Sequence, residues 1–160
     1  MVETGKLSVG LRDFLQTYPW RRIDPVPKAS LSKPISECNV ALVSSAGFVV
    51  PGEEPFSDSV RGGDYSFRVI PDYVDVQSLE ESHHSDSFSH AGVEADRNMG
   101  LPLDPLHELA AAGEIGSVAP RHFSVMGAIT APNRYGKQTL PVIADLLVED
   151  RVDIALMVPV

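Results

Sequence analysis

The sequence predicts an α/β fold: a layered, Rossmann-like arrangement around a mainly parallel sheet, incomplete at its C-terminal side. Three observations carry this. The runs NVALVSS (39–45) and VDIALMVPV (152–160) are continuously apolar over strand length, as in strands covered on both faces. Two stretches with helical apolar spacing, Pro102–Ala112 and Gly136–Glu149, separate candidate strands. The resulting order is helix, strand, irregular insert, helix, strand, helix, strand, an alternation that favours helices packed on a parallel sheet.

The elements follow in chain order. In Val9–Tyr18 the residues Leu11, Phe14, Leu15 and Tyr18 recur at i, i+3, i+4 and i+7, which paints one helical face, and Pro19 stops the helix. Trp20, Arg21 and Arg22 lead into a loop carrying Pro25, Pro27 and Pro34. Residues 1–37 therefore read as an N-terminal helix and arm, and residues 38–160 as the α/β domain, with an irregular insert at about 51–101. A compact domain seldom carries so long an irregular stretch unless it is functional. Its one strand candidate is Tyr65–Ile70. In Pro102–Ala112, Asp104 is the expected N-cap, Pro105 the first helical residue and Gly113 the stop. Ile115–Val118 is a short strand or turn, and Arg121–Ile129 a second strand with Gly127 inside it. Gly136–Glu149 turns Leu140, Ile143, Ala144 and Leu147 inward, and Val152–Val160 is the last strand.

Composition excludes several classes. The 160 residues fit one domain with room for a real core. Thirteen basic against 22 acidic residues give a net charge of −9, which argues against nucleic acid and anionic membrane surfaces as partners. Mean hydropathy is −0.02, and no apolar run approaches the roughly 18 residues of a membrane span. The N-terminus lacks the apolar core of a secretory signal. One cysteine, Cys38, cannot form an internal disulfide, so a cytoplasmic location is expected, with Cys38 buried and inert.

The residues that bear chemistry fall into four groups. Ser44, Ser45 and Gly47 end the first strand, where small residues let backbone N–H groups approach an anion; ordinary turn chemistry also accounts for them. No GxGxxG, GxxxxGK[ST] or GxSxG pattern is present, so neither a nucleotide site nor a serine hydrolase elbow is supported. Asp64, Ser66 and Arg68 share one face if their segment is extended, as a polar pocket wall or an internal ion pair. Arg121 and His122 open a strand; Arg121 is a bidentate clamp for a carboxylate or a structural partner of one of the many acids. His83, His84, Asp86 and His90 form the only metal-like cluster, but a closed zinc site needs four ligands and the cysteine is distant, so no metal is expected.

Taken together, EPFSDSVRGGDYSFRVIP (54–71), SHHSDS (82–87), LPLDPLHELAAAGEIGSVAPRHFSVMG (101–127) and EDRVDIALMVPV (149–160) resemble the selenoprotein B family of glycine, sarcosine and betaine reductases, together with the selenoprotein subunit of D-proline reductase. NVALVSSAGF matches the family's opening strand, and the likeness runs co-linearly from about Cys38 to Val160. GDYSFR and GSVAPRH are its specific pieces.

The resemblance implies reductive cleavage of a C–N bond in an amino acid or related amine, with thiol–disulfide turnover. In that family the strand matching DIALMVPV leads into a selenocysteine (or cysteine) followed by a second cysteine, and the selenolate is the nucleophile. A pyruvoyl group in a partner subunit activates the amine. This sequence stops at Val160, before that motif; a selenocysteine codon is UGA, also a stop codon, so termination there is the expectation, with self-association through exposed sheet surface. No other cofactor is expected in this chain. Within that chemistry the residues themselves point to His83 or His84 as the general acid for the leaving amine and to Arg121, His122, Arg68, Asp64, Ser44 and Ser45 as the substrate-binding set, with Arg121 and His122 also matching the family motif. Two alternatives stay open: a non-catalytic small-molecule-binding or interaction module of the same fold, and a metal-dependent hydrolase built on the histidine cluster.

Overall fold

The computed structural model describes residues 8–19, 22–85 and 90–160. Trp20, Arg21 and Asp86, all singled out above, lie outside the described residues. The chain divides into two compact units, Met1–Ser30 and Leu31–Val160. In the first, helix α1 (Val9–Thr17) starts where the Ser8 hydroxyl accepts from Leu11 N–H, and Phe14 and Tyr18 stack with ring centroids 5.2 Å apart on the face the periodicity predicts.

The second unit is built on one sheet. Strand β1 (Asn39–Ser44) runs parallel to β5 (Ser117–Val118) and β6 (Arg121–Val125) on one side and to β7 (Ile154–Val158) on the other. Strand β3 (Phe67–Pro71) is antiparallel to β6 and forms the far edge. The α/β class and the mainly parallel sheet match the sequence expectation. The antiparallel edge strand was not expected from the sequence, and is of a kind common on mainly parallel sheets.

Side-chain alternation along β1 builds two apolar layers. Val40, Leu42 and Ala46 pack with Phe48, Ile70, Val76, Leu79, Leu101 and Leu103 on one face. Val43 packs with Phe123, Val125, Ile143 and Leu147 on the other. The first layer is covered by the insert and by helices α2 (His90–Ala95) and α3 (Leu103–Ala111); the second by α4 (Pro132–Arg134), a π turn (Tyr135–Thr139) and α5 (Leu140–Glu149).

The insert departs from the expectation of irregularity. It holds β4 (Glu80–Glu81), which pairs antiparallel with β2 (Phe48–Val49) just before it, together with α2, and it supplies a large share of the first layer. Isolated apolar residues between short turns carry no period, so this core was invisible to pattern. Three boundaries also shift. α3 starts at Leu103 rather than after Asp104, because Asn98 Oδ1 accepts from Asp104 N–H at 3.1 Å and Asn98 Nδ2 donates to the Asp104 carboxylate at 2.8 Å. β6 ends at Val125 because Gly127 turns to φ +81°. The predicted Gly136–Glu149 helix begins earlier, at Pro132, and opens into a π turn before Pro141, which has no N–H to offer the carbonyl of Lys137.

Candidate functional site

In open parallel sheets ligands collect at the carboxyl ends of the strands. Here those ends are Ser44–Ser45, Val125–Gly127 and Val158–Pro159, and they surround a cavity of about 330 Å³. Its walls are Val43, Val125 and Met157 from the sheet, Ile129 and Pro132 from the connection after β6, and Tyr135 from the π turn. Among the described residues no charged side chain lines it. The Tyr135 hydroxyl is held in its protonated form by burial, which raises its pKa.

Ser45 organises the mouth. Its N–H donates to Val158 O at 3.0 Å, and its hydroxyl accepts from Val160 N–H at 2.9 Å. The chain leaving β7 is thus fastened to the end of β1. Ser44 faces the opposite way: fully buried, it donates to Gly100 O and accepts from Ala46 N–H, so it fixes the turn after β1 from below.

His83 reaches the same mouth from the insert. Gly47 N–H donates to Val125 O at 2.9 Å, and Gly47 O accepts from Ser82 N–H at 2.8 Å, which docks the segment before His83 against β6. The His83 Nε2 atom lies over Gly127: a Cβ built there would come within 2.8 Å of Nε2 and 2.4 Å of Ser45 O. The Nδ1 atom accepts from Ser85 N–H at 3.1 Å, which leaves the proton of the neutral ring on Nε2. Burial, the largest influence, lowers the His83 pKa below its ordinary value; Glu81 opposes this, and His90 and His84 add to it. His84, its neighbour, is exposed. Among the described residues no three histidine, cysteine or acidic side chains converge on a point that would hold a metal ion.

The remaining predicted site residues lie elsewhere. Arg121 stands at the amino end of β6, about four residues or roughly 13 Å of strand from Val125. Its Nε and Nη2 donate to the two oxygens of Asp150 at 2.7 and 2.6 Å, and Nη2 also meets Glu149 at 3.2 Å. These carboxylates, Asp150 first, hold the guanidinium firmly charged. His122 is fully buried between the strands. Its Nδ1 accepts from Leu42 N–H at 3.0 Å. That N–H faces the break between β5 and β6, where Pro120 O has turned away to accept from Asp72 N–H, so the imidazole replaces a missing backbone acceptor.

Arg68 is spent within the insert, donating to Glu54 O, Pro55 O, Phe67 O and the Ser66 hydroxyl while its guanidinium lies 4.3 Å from the Phe56 ring centre. Asp64 accepts from Ser57 and Ser66 N–H, both at 2.8 Å. Burial works to raise its pKa, but these bonds and the nearby Arg68 hold it below the ordinary value. Asp64 and Arg68 line a second cavity, of about 560 Å³, together with Glu53, Glu54 and Tyr65. Since Asp64 is nearly buried and holds two backbone donors, Asp64→Ala is expected to destabilise the chain by about 2 kcal/mol in urea unfolding.

Sequence reasoning missed Tyr135 and Glu81. Tyr135 carried no motif. Glu81 belongs to a two-residue strand too short for any periodicity to reveal. Cys38 is buried as expected, its thiol 3.2 Å from Pro34 O.

The chain is similar to known proteins over nearly all its length. The family model described as glycine/sarcosine/betaine reductase selenoprotein B matches residues 7–159. A D-proline reductase subunit gamma of Acetoanaerobium sticklandii is 33% identical over 144 residues, 89% of this chain and 57% of its own length. A glycine reductase complex component B subunit gamma of Carboxydothermus hydrogenoformans is 29% identical over 137 residues, 84% of this chain and 31% of its own. A sarcosine reductase complex component B subunit beta of Peptoclostridium acidaminophilum is 29% identical over 121 residues, 74% of this chain and 27% of its own. The chain thus spans little more than half the length of the first of these and about a third or less of the others. No solved structure matches it significantly. Among the described residues no helix is long and apolar enough to cross a membrane.

Proposed function

Because the chain belongs to the glycine/sarcosine/betaine reductase selenoprotein B family, a family of reductase-complex components, we propose that it forms the N-terminal part of a selenocysteine- or cysteine-dependent reductase that cleaves a C–N bond in an amino acid or related amine. In this reaction the C–N bond breaks, the nitrogen leaves as an amine, and the carbon gains a hydrogen. A dithiol supplies the two electrons and ends as a disulfide. Activation of the amine by a pyruvoyl group of a partner subunit belongs to the same proposal.

One observation carries it: the Ser45 hydroxyl holds Val160 N–H at the carboxyl ends of β1, β6 and β7, beside the apolar cavity and beneath His83. A nucleophile carried on chain continuing past Val160 enters the molecule at that point. The apolar cavity takes the body of the substrate, the dithiol supplies the protons with its electrons, and the neutral His83 Nε2–H donates a hydrogen bond to the departing nitrogen. Ser45 positions the nucleophile. Arg121 and His122 act from the amino end of the sheet, as braces of the scaffold. The open edge supports assembly with other subunits or copies, since Leu156 and Met157 on β7 are exposed.

The test begins with the coding sequence behind the Val160 codon. A codon for selenocysteine or cysteine, with a second cysteine nearby, is expected in the frame of the whole protein. The whole product, made with selenocysteine and assayed with candidate partner subunits and a dithiol, is expected to release ammonia from glycine, release the amine from sarcosine or betaine, or open the ring of D-proline, for at least one of the four, with one disulfide formed per C–N bond cleaved. A frame that closes without selenocysteine or cysteine overturns the proposal and leaves the cavity as a binding module.

A further inference from the structure

Glu81 and His90 hold no part in the scheme above, yet they form the tightest polar cluster next to it. His90 opens α2, and Glu81 sits in β4 with its side chain only 10% exposed. The His90 Nδ1 atom lies 2.5 Å from Glu81 Oε1, and its Nε2 lies 2.8 Å from Ser85 O. A carboxylate and a carbonyl are both acceptors. An imidazole meets two acceptors only by carrying a proton on each nitrogen, as the imidazolium cation. Its ring stands 6.4 Å from that of His83, in edge-on geometry.

We propose that Glu81 and His90 are positioning residues: a fixed carboxylate–imidazolium pair that keeps the His83 ring neutral, with its one proton on Nε2 above Gly127. Ser85 links the two rings. Its N–H donates to His83 Nδ1 and its carbonyl accepts from His90 Nε2, so one residue sets both orientations. A cation beside His83 opposes a second proton on that ring. Among the described residues, the charged groups acting on His83 are Glu81, which favours protonation, and His90 and His84, which disfavour it; burial weighs on the same side as the histidines. Each nitrogen of His90 faces an acceptor, Glu81 Oε1 and Ser85 O, so the geometry calls for a proton on both. The same cation adds positive field near the strand ends, where an anionic selenolate or thiolate would be favoured. The pair's mechanistic use rests on the proposed reductase site; its protonation pattern does not.

Long-range proton–nitrogen spectra of the histidine rings in the uniformly nitrogen-15-labelled 160-residue chain read this directly. At pH 7 His90 is expected to show two protonated nitrogens, and His83 one, on Nε2. In His90→Gln the His83 titration midpoint is expected to rise by roughly half a pH unit or more. In Glu81→Gln His90 is expected to lose its second proton at pH 7. A singly protonated His90 in the native chain overturns the inference, and so does a His83 midpoint that stays in place in His90→Gln. The native spectrum needs no variant to fold. A whole protein that cleaves no C–N bond, with these spectra as expected, overturns the reductase proposal alone.

Discussion

Acidification from pH 6.5 to 4 is expected to remove about 3 kcal/mol of stability through His122 alone. Burial, the main cause, depresses its pKa to about 4, against an ordinary 6.5 in the unfolded chain; Asp72 pulls the other way and His107 adds to the depression. The folded state therefore prefers the neutral ring. That preference is fully present above pH 6.5 and is lost as pH falls toward 4, because only the unfolded chain takes the proton over that window. Each unit of difference is worth about 1.4 kcal/mol. The geometry fixes the reason: Nδ1 must accept from Leu42 N–H, and Nε2 is buried with no protein partner among the described residues. His122→Asn offers an oxygen where Nδ1 stood and cannot be protonated. Its stability, from urea unfolding at steps between pH 7.5 and 4.5, should decline about 3 kcal/mol less than the native chain's. A shallow decline should remain from His83, whose pKa is lowered in the same direction. Parallel curves for the two proteins would remove His122 as the acid-sensitive joint. His122→Phe, which leaves Leu42 N–H without an acceptor, should cost about 2 kcal/mol even at pH 7.5.

His122 also shows where sequence reasoning ran out. GSVAPRH drew attention as a motif, and Arg121–His122 read as substrate-binding because charged residues at a strand start suggest a clamp. What meets them there depends on neighbour order, which is not written locally: Asp150 takes the Arg121 guanidinium, and His122 Nδ1 accepts from Leu42 N–H. The parallel sheet was legible because β1 and β7 are unbroken apolar runs, but two-sided burial holds for β1 alone: Ala155, Leu156 and Met157 of β7 are exposed, so the expectation of a last strand covered on both faces is corrected. The same apolar run placed Ser45 at the end of the first strand, whereas Gly127, read as lying inside a strand, falls beyond a β6 that ends at Val125. His83 could be singled out as a titratable residue, but its arrival over Gly127 depends on Gly47 joining Ser82 to Val125, three segments distant in sequence. The insert was the least legible part. Phe48, Val76, Leu79 and Leu101 are each fully buried, yet they sit in two-residue strands, a 3-10 turn and loops, where burial follows no period.

Gly127→Ala is expected to destabilise the chain by about 3 kcal/mol or more and to move His83 off the site. Two effects combine at this glycine. Its φ of +81° is a left-handed conformation that costs an L-residue about 1–2 kcal/mol. The added Cβ would also meet Ser45 O at 2.4 Å and His83 Nε2 at 2.8 Å, and the first contact is backbone that cannot swing aside. Gly113→Ala separates the two: Gly113 has a similar φ of +74°, but nothing lies within 4 Å of its Cβ position. The Gly113 variant should therefore lose only the conformational part, and the difference between the two urea midpoints, converted to free energy, measures how tightly His83 and Ser45 close on Gly127. The ring spectra should follow the same division. Gly113→Ala should leave the His83 Nε2–H signal unchanged, while Gly127→Ala should shift it, because the atom that signal reports is one the new methyl would strike. Equal destabilisation by the two substitutions, with an unmoved His83 signal in both, would mean that His83 does not rest on Gly127, and the hydrogen-bond donor to the departing nitrogen would have to be sought elsewhere.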